Sequence, residues 1–138
     1  MLNMSGEKSL KKLITSMTPV LSEQEYVFAT LPKVDFESLL LMEPLATFQE
    51  DEGMTVIVLK DKAQQYDLAY SGLFRCITLN VHSSLEAVGL TAAVSTKLTQ
   101  ANISANVVAA YYHDHIFVSS NNAEDALSNL QELAQTGS

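Results

Sequence analysis

The residues with the most chemical capacity in this 138-residue chain gather in its second half. His113-Asp114-His115 sits between two apolar runs, and His82 lies upstream. Two histidines two apart on a strand point to one side and can share a metal. The competing reading is a polar hairpin tip, since such residues favour turns. No further Cys, His or Glu stands at ligand spacing, so neither a metal site nor a cofactor is expected. Cys76 lies inside an apolar strand and reads as a small buried hydrophobe rather than a nucleophile. Ser83 and Ser84 lack the G-x-S-x-G elbow, which favours capping over catalysis. Gly89 permits either close approach of a ligand or tight helix–strand packing. Asp114 is either a turn aspartate or a carboxylate facing a ligand. No nucleotide loop or pair of catalytic carboxylates is present, so no enzyme is expected.

The elements around these residues follow from periodicity. In Phe74–Val81, Arg75, Ile77, Leu79 and Val81 share one strand face; Phe74, Cys76, Thr78 and Asn80 share the other. Ser83 with Glu86 forms a capping-box pattern. Leu90, Val94, Leu98 and Ala101 stripe one side of a helix, and Asn102 stands where it should stop. Ile103–Tyr111 is β-branched and aromatic, as strands are. His113–Asp114 is the expected turn before Ile116–Val118. Asn121 and Asn122 can cap a helix carrying Ala123, Ala126, Leu127, Leu130 and Leu133.

Upstream, Leu10, Leu13, Ile14 and Met17 have helical spacing that Pro19 ends. Tyr26–Leu31 reads as a strand and Phe36–Met42 as two helical turns. Leu45–Gln49 and Met54–Lys60 form a hairpin turning near Gly53, and Asp61–Tyr66 is a short helix. Met54–Ala63 superposes on Asp114–Ala123 at an offset of 60, so each half runs strand, helix, hairpin, helix. A β-α-β-β-α unit is most of a ferredoxin-like fold, which closes with a fourth strand. Exchange of Leu73–Val81 or Tyr26–Leu31 between halves can supply it. The expected fold class is α+β, divided into residues 1–72 and 73–138.

Composition narrows the function. Hydrophobic residues make up 47 % and charged residues 17 %, a globular balance. Net charge is −8, from 16 acidic and 8 basic residues, and Arg75 is the one arginine, so nucleic-acid binding is not expected. No stretch reaches the roughly 20 apolar residues that span a bilayer. A single cysteine and no signal-peptide pattern suggest a cytoplasmic setting.

The stretches VHSSLEAVGLTAAVSTKLTQANIS and VVAAYYHDHIFV resemble the ACT domain, a small amino-acid-sensing module, and ATFQEDEGMTVIVL resembles a first ACT half. The pair is similar to the regulatory ACT pair of aspartate kinases, to small bacterial stand-alone tandem ACT proteins, and to the cytosolic arginine sensors of the TOR pathway. The resemblance implies a non-catalytic regulatory protein that binds a free amino acid between ACT units. Its carboxylate would meet backbone N–H groups at Ala87-Val88-Gly89-Leu90, with Ser83 and Ser84 lining the site. Asp114 would face the ammonium and Tyr111 would cover it. The first half departs from the pattern, with Met54 where the second has Asp114. A homodimer is expected, with the central half at its interface; the runner-up is a ligand-free ACT oligomerisation module.

Overall fold

A computed structural model of the protein describes residues 9–81 and 89–137. In chain order the elements are α1 (Leu10–Ser16), β1 (Pro19–Leu21), β2 (Tyr26–Leu31), α2 (Phe36–Met42), β3 (Ala46–Glu50), β4 (Gly53–Leu59), α3 (Lys60–Gln65), β5 (Phe74–Leu79), α4 (Leu90–Gln100), β6 (Asn106–Ala109), β7 (Asp114–Ser119) and α5 (Ala123–Thr136). A single 3-10 turn, Ser120–Asn122, leads into α5. The fold is α+β. Among the described residues no helix is long and apolar enough to cross a membrane.

Packing divides the described chain into two units, Glu23–Phe74 and residues 9–22 with 75–137. The first runs β2, α2, β3, β4, α3, with strand order β3-β4-β2 and antiparallel pairs throughout. Its core follows the period-2 rule: Val27, Ala29 and Leu31 on β2 join Val56 and Val58 on β4. Met42 and Ala63 close it from the two helices. Asp35 caps α2, accepting from the Glu37 amide at 3.3 Å and from Ser38 Oγ at 2.8 Å.

The other unit runs β5, α4, β6, β7, α5 in chain order, and its strand order is β1-β5-β7-β6. Ile77 and Leu79 on β5 and Ile116 and Val118 on β7 meet the expected helix stripes, Leu90, Val94 and Leu98 from α4 and Ala126, Leu130 and Leu133 from α5. Leu13 and Ile14 of α1 belong to the same core. The helix α4 ends as Asn102 suggested. Asn102 is left-handed at φ 62°, and the Ile103 amide donates back to the Leu98 carbonyl at 2.9 Å.

The first helix ends before Pro19, as expected, and Pro19–Leu21 is a strand that sequence reading did not place; it pairs antiparallel with β5, Pro19 opposite Leu79 and Leu21 opposite Ile77. Three residues carry too little alternation to be legible. Ile103–Tyr111 yields only the strand Asn106–Ala109; its C-terminal limit is set by β7, which begins at Asp114 opposite Ala109. Residues 9–22 pack with residues 75–137. The strand Tyr26–Leu31 pairs along its length with β4 of its own unit.

Leu98 is fully buried at the centre of the larger core. Leu98→Ala is expected to cost about 2–5 kcal/mol of stability, measured by chemical denaturation.

Candidate functional site

The expected site draws on two segments, and the structure describes them in part. Ser83, Ser84 and Val88 lie outside the described residues, as do His82 and the Ser83–Glu86 capping pattern. At Gly89 the description resumes. Gly89 is the N-cap of α4, left-handed at φ 101°, and no side chain caps the helix. A Cβ there would lie 3.1 Å from Leu10 Cδ2 of α1. The left-handed backbone selects glycine at this position, whatever passes nearby. Gly89→Val would therefore strain the backbone and is unsuited as a steric probe of binding. The Leu90 side chain is buried in the core, so only its backbone is available to a ligand.

Asp114 opens β7, opposite Ala109 on β6. The chain reverses just before it, with the Ala110 amide donating to the His113 carbonyl at 3.1 Å. That leaves Tyr111 and Tyr112 on the tip, 70 % and 65 % exposed, their rings edge to face at 4.9 Å. Burial pushes the Asp114 carboxyl above the usual carboxylate range, against the pull of His115 and then His113. Burial likewise lowers His115, helped by the neighbouring His113 and opposed by Asp114.

His115 points to the face of β7 that Ile116 and Val118 avoid. There its Nδ1 meets Thr78 Oγ1 of β5 at 2.9 Å, and Thr78 lies 3.9 Å from the Cys76 sulfur. Burial pushes the Cys76 thiol up, opposed by the Thr78 contact, which leaves it a poor nucleophile. The His113 and His115 ring centres are 6.4 Å apart, and His113 Nδ1 is a buried atom with no hydrogen-bond partner. Among the described residues no three His, Cys, Asp or Glu side chains gather as metal ligands do.

Two features escaped sequence reasoning. Thr78 reads only as sharing a strand face with Cys76, and His115 as part of a polar hairpin tip; their contact was not foreseen. Leu10 over Gly89 is the other. Together with Ala92, Ala93, Thr96, Lys97, Gln100 and Leu133 they line a shallow groove of about 420 Å³. Only the docking of α1 creates it.

Comparison with known proteins decides the family. ACT-domain family models match residues 5–75 and 74–132, in tandem. The chain belongs to the ACT-domain family. It is 53 % identical to a solved Vibrio cholerae protein of unknown function, termed a possible transport protein, with a TM-score of 0.83 over 93 % of this chain and 98 % of that one. An Agrobacterium tumefaciens protein follows at 18 % identity and TM-score 0.70, covering 86 % and 89 %. The ligand-free regulatory subunit of aspartate kinase from Thermus thermophilus shares the fold at 12 % identity and TM-score 0.61, covering 86 % and 98 %. No curated protein matches the sequence. This tandem ACT protein is a regulatory module by family.

The lowered His115 gives a pH signature. Its folded pKa lies below the unfolded value near 6.5, so the unfolded chain binds more protons and stability falls as pH drops through that value toward the folded one. Asp114, raised in the fold, has the opposite sign: its contribution is present below about 3.8 and is lost as pH rises through its folded value. His115→Gln is expected to lose less stability than the parent between about pH 7.5 and about pH 5.5, followed by urea denaturation.

Proposed function

We propose that this ACT protein senses a free amino acid in the cytoplasm and reports it through a change in assembly or surface, without catalysis of its own. Tandem ACT membership carries the reading. The proposed site takes the ligand carboxylate on the backbone N–H groups at Val88, Gly89 and Leu90, where the start of α4 offers unpaired donors and the positive end of a helix dipole. Ser83 and Ser84 line it, Asp114 meets the ammonium, and the exposed Tyr111 covers it. A half-buried carboxyl suits this role, because an arriving ammonium would stabilise its charged form. The reading includes a homodimer. The aspartate-kinase regulatory subunit supplies the fold comparison alone, since its identity is low.

A second reading, an ACT module that only assembles, draws on the apolar side chains that α2 and β3 leave exposed. Thermal-shift measurement against the twenty amino acids separates the two. A ligand present at 100 times its Kd raises stability by about 2.7 kcal/mol; no shift with any amino acid favours the assembly module.

Asp114→Asn keeps the volume and removes the charge. With a ligand in hand, titration calorimetry is expected to read a loss of affinity of about tenfold to hundredfold. Binding as tight as the parent's would remove Asp114 from the site.

A further inference from the structure

In the unit Glu23–Phe74, Val27, Ala29, Leu31, Val56 and Val58 turn one sheet face to the core with Met42 and Ala63 of the helices. The opposite face carries Phe28 and Thr30 on β2, with Ile57 and Thr55 across from them on β4. A shallow cavity of about 660 Å³ opens there, and Phe28, Thr30, Glu50, Thr55, Tyr70 and Ser71 are among its lining residues. Its walls are fixed by packing. The Phe28 ring meets Phe74 edge to face, centres 5.2 Å apart. Tyr70 is half-buried against the core of the same unit. Glu50, at the end of β3, stands opposite Gly53, which adds no side chain to the face. The Thr55 hydroxyl donates to Glu50 Oε1 and so holds the carboxylate over the sheet. Among the described residues no Lys, Arg or His pairs with Glu50, and none lines the cavity.

We propose that this cavity binds a primary organic amine that lacks a carboxylate, its ammonium on Glu50 and its carbon body over Phe28 and Tyr70. The cavity lies in a different unit from Gly89 and Asp114, and its assignment does not depend on the amino-acid site. The lining chemistry selects the ligand class. One carboxylate without a basic neighbour attracts a cation, and a charge-assisted hydrogen bond to it is stronger than a neutral one. A calcium ion takes about six to eight oxygen ligands, which aromatic walls do not supply. An ammonium brings three N–H donors, matching the Glu50 carboxylate and the hydroxyls of Thr30 and Ser71. Aromatic faces attract a cation through the ring quadrupole and also accept an apolar body. A free amino acid suits the cavity less well. Its own carboxylate would face Glu50 with no basic group to receive it.

The test is titration of the full chain, followed by amide proton–nitrogen correlation spectra. The probe is 2-phenylethylamine. Two relatives of the same body serve as comparisons: L-phenylalanine, which adds a carboxylate, and 2-phenylethanol, which replaces the ammonium by a hydroxyl. The amine is expected to shift the Thr30, Thr55 and Ser71 amides to saturation. At those amides the two comparison compounds are expected to bind at least about fivefold more weakly, the scale of one exposed charge pair. Glu50→Gln keeps an acceptor for Thr55 and is expected to weaken the amine by a similar factor. Thr30→Val, an isosteric change at an exposed position, is expected to weaken it about threefold. Three results would each overturn the assignment: no saturable shift at those amides, a comparison compound binding there as tightly as the amine, or Glu50→Gln binding the amine as tightly as the parent. Shifts from L-phenylalanine confined to the start of α4 and to Asp114 would instead report on the amino-acid site.

Discussion

The pairing of β1 on β5 is the contact on which the C-terminal unit depends. Three residues, Pro19–Leu21, take the open side of β5 and give the strand order β1-β5-β7-β6. Chain order alone leaves that unit a strand short, since β5, α4, β6, β7 and α5 end in a helix. A ferredoxin-like sheet with an uncovered inner strand would expose a row of amide and carbonyl groups. The N-terminal segment satisfies them and carries α1 with it. Leu13 and Ile14 then complete the core against α4 and α5, and Leu10 comes to rest over Gly89. Arg75 reinforces the join, its Nε and Nη2 donating to the Ser22 carbonyl at 2.8 and 2.6 Å while Nη1 reaches Glu124 at 3.3 Å.

The same geometry sets the chemistry of the β6–β7 turn. Helices cover one face of the sheet, so residues of odd and even register on β7 meet different surroundings. Ile116 and Val118 enter the apolar core. His115, one step out of phase, meets the hydroxyl of Thr78 instead. Partial burial then disfavours charge on both His115 and Asp114, and each lies close enough to favour charge on the other. The turn is therefore electrostatically tense, with two groups whose protonation states depend on what approaches them. A ligand ammonium would relieve Asp114, which is the physical reason a carboxyl of this kind suits recognition.

Family membership places this small fold among regulatory modules. The described residues contain no gathered set of metal-binding side chains. What remains available is a helix start without a side-chain cap, a partly buried carboxyl and exposed apolar side chains on α2 and β3.

The sequence by itself determined the elements whose burial imposes a period. The stripes Leu90–Val94–Leu98 and Ala126–Leu130–Leu133 and the alternation of Ile77 and Leu79 were all legible, because one-sided burial writes itself into spacing. So was the stop at Asn102, a local backbone matter. The family was legible too, since its glycine turn and strand patterns survive in the chain. The tertiary structure alone decided which strands become neighbours. The strand Pro19–Leu21 is too short to carry a pattern, and its partner lies more than fifty residues away. The left-handed backbone of Gly89, the groove under Leu10 and the bond between Thr78 and His115 depend on that packing. Long-range pairing is chosen by the summed energy of the packed core rather than by any local preference, so a local reading of residues has no access to it.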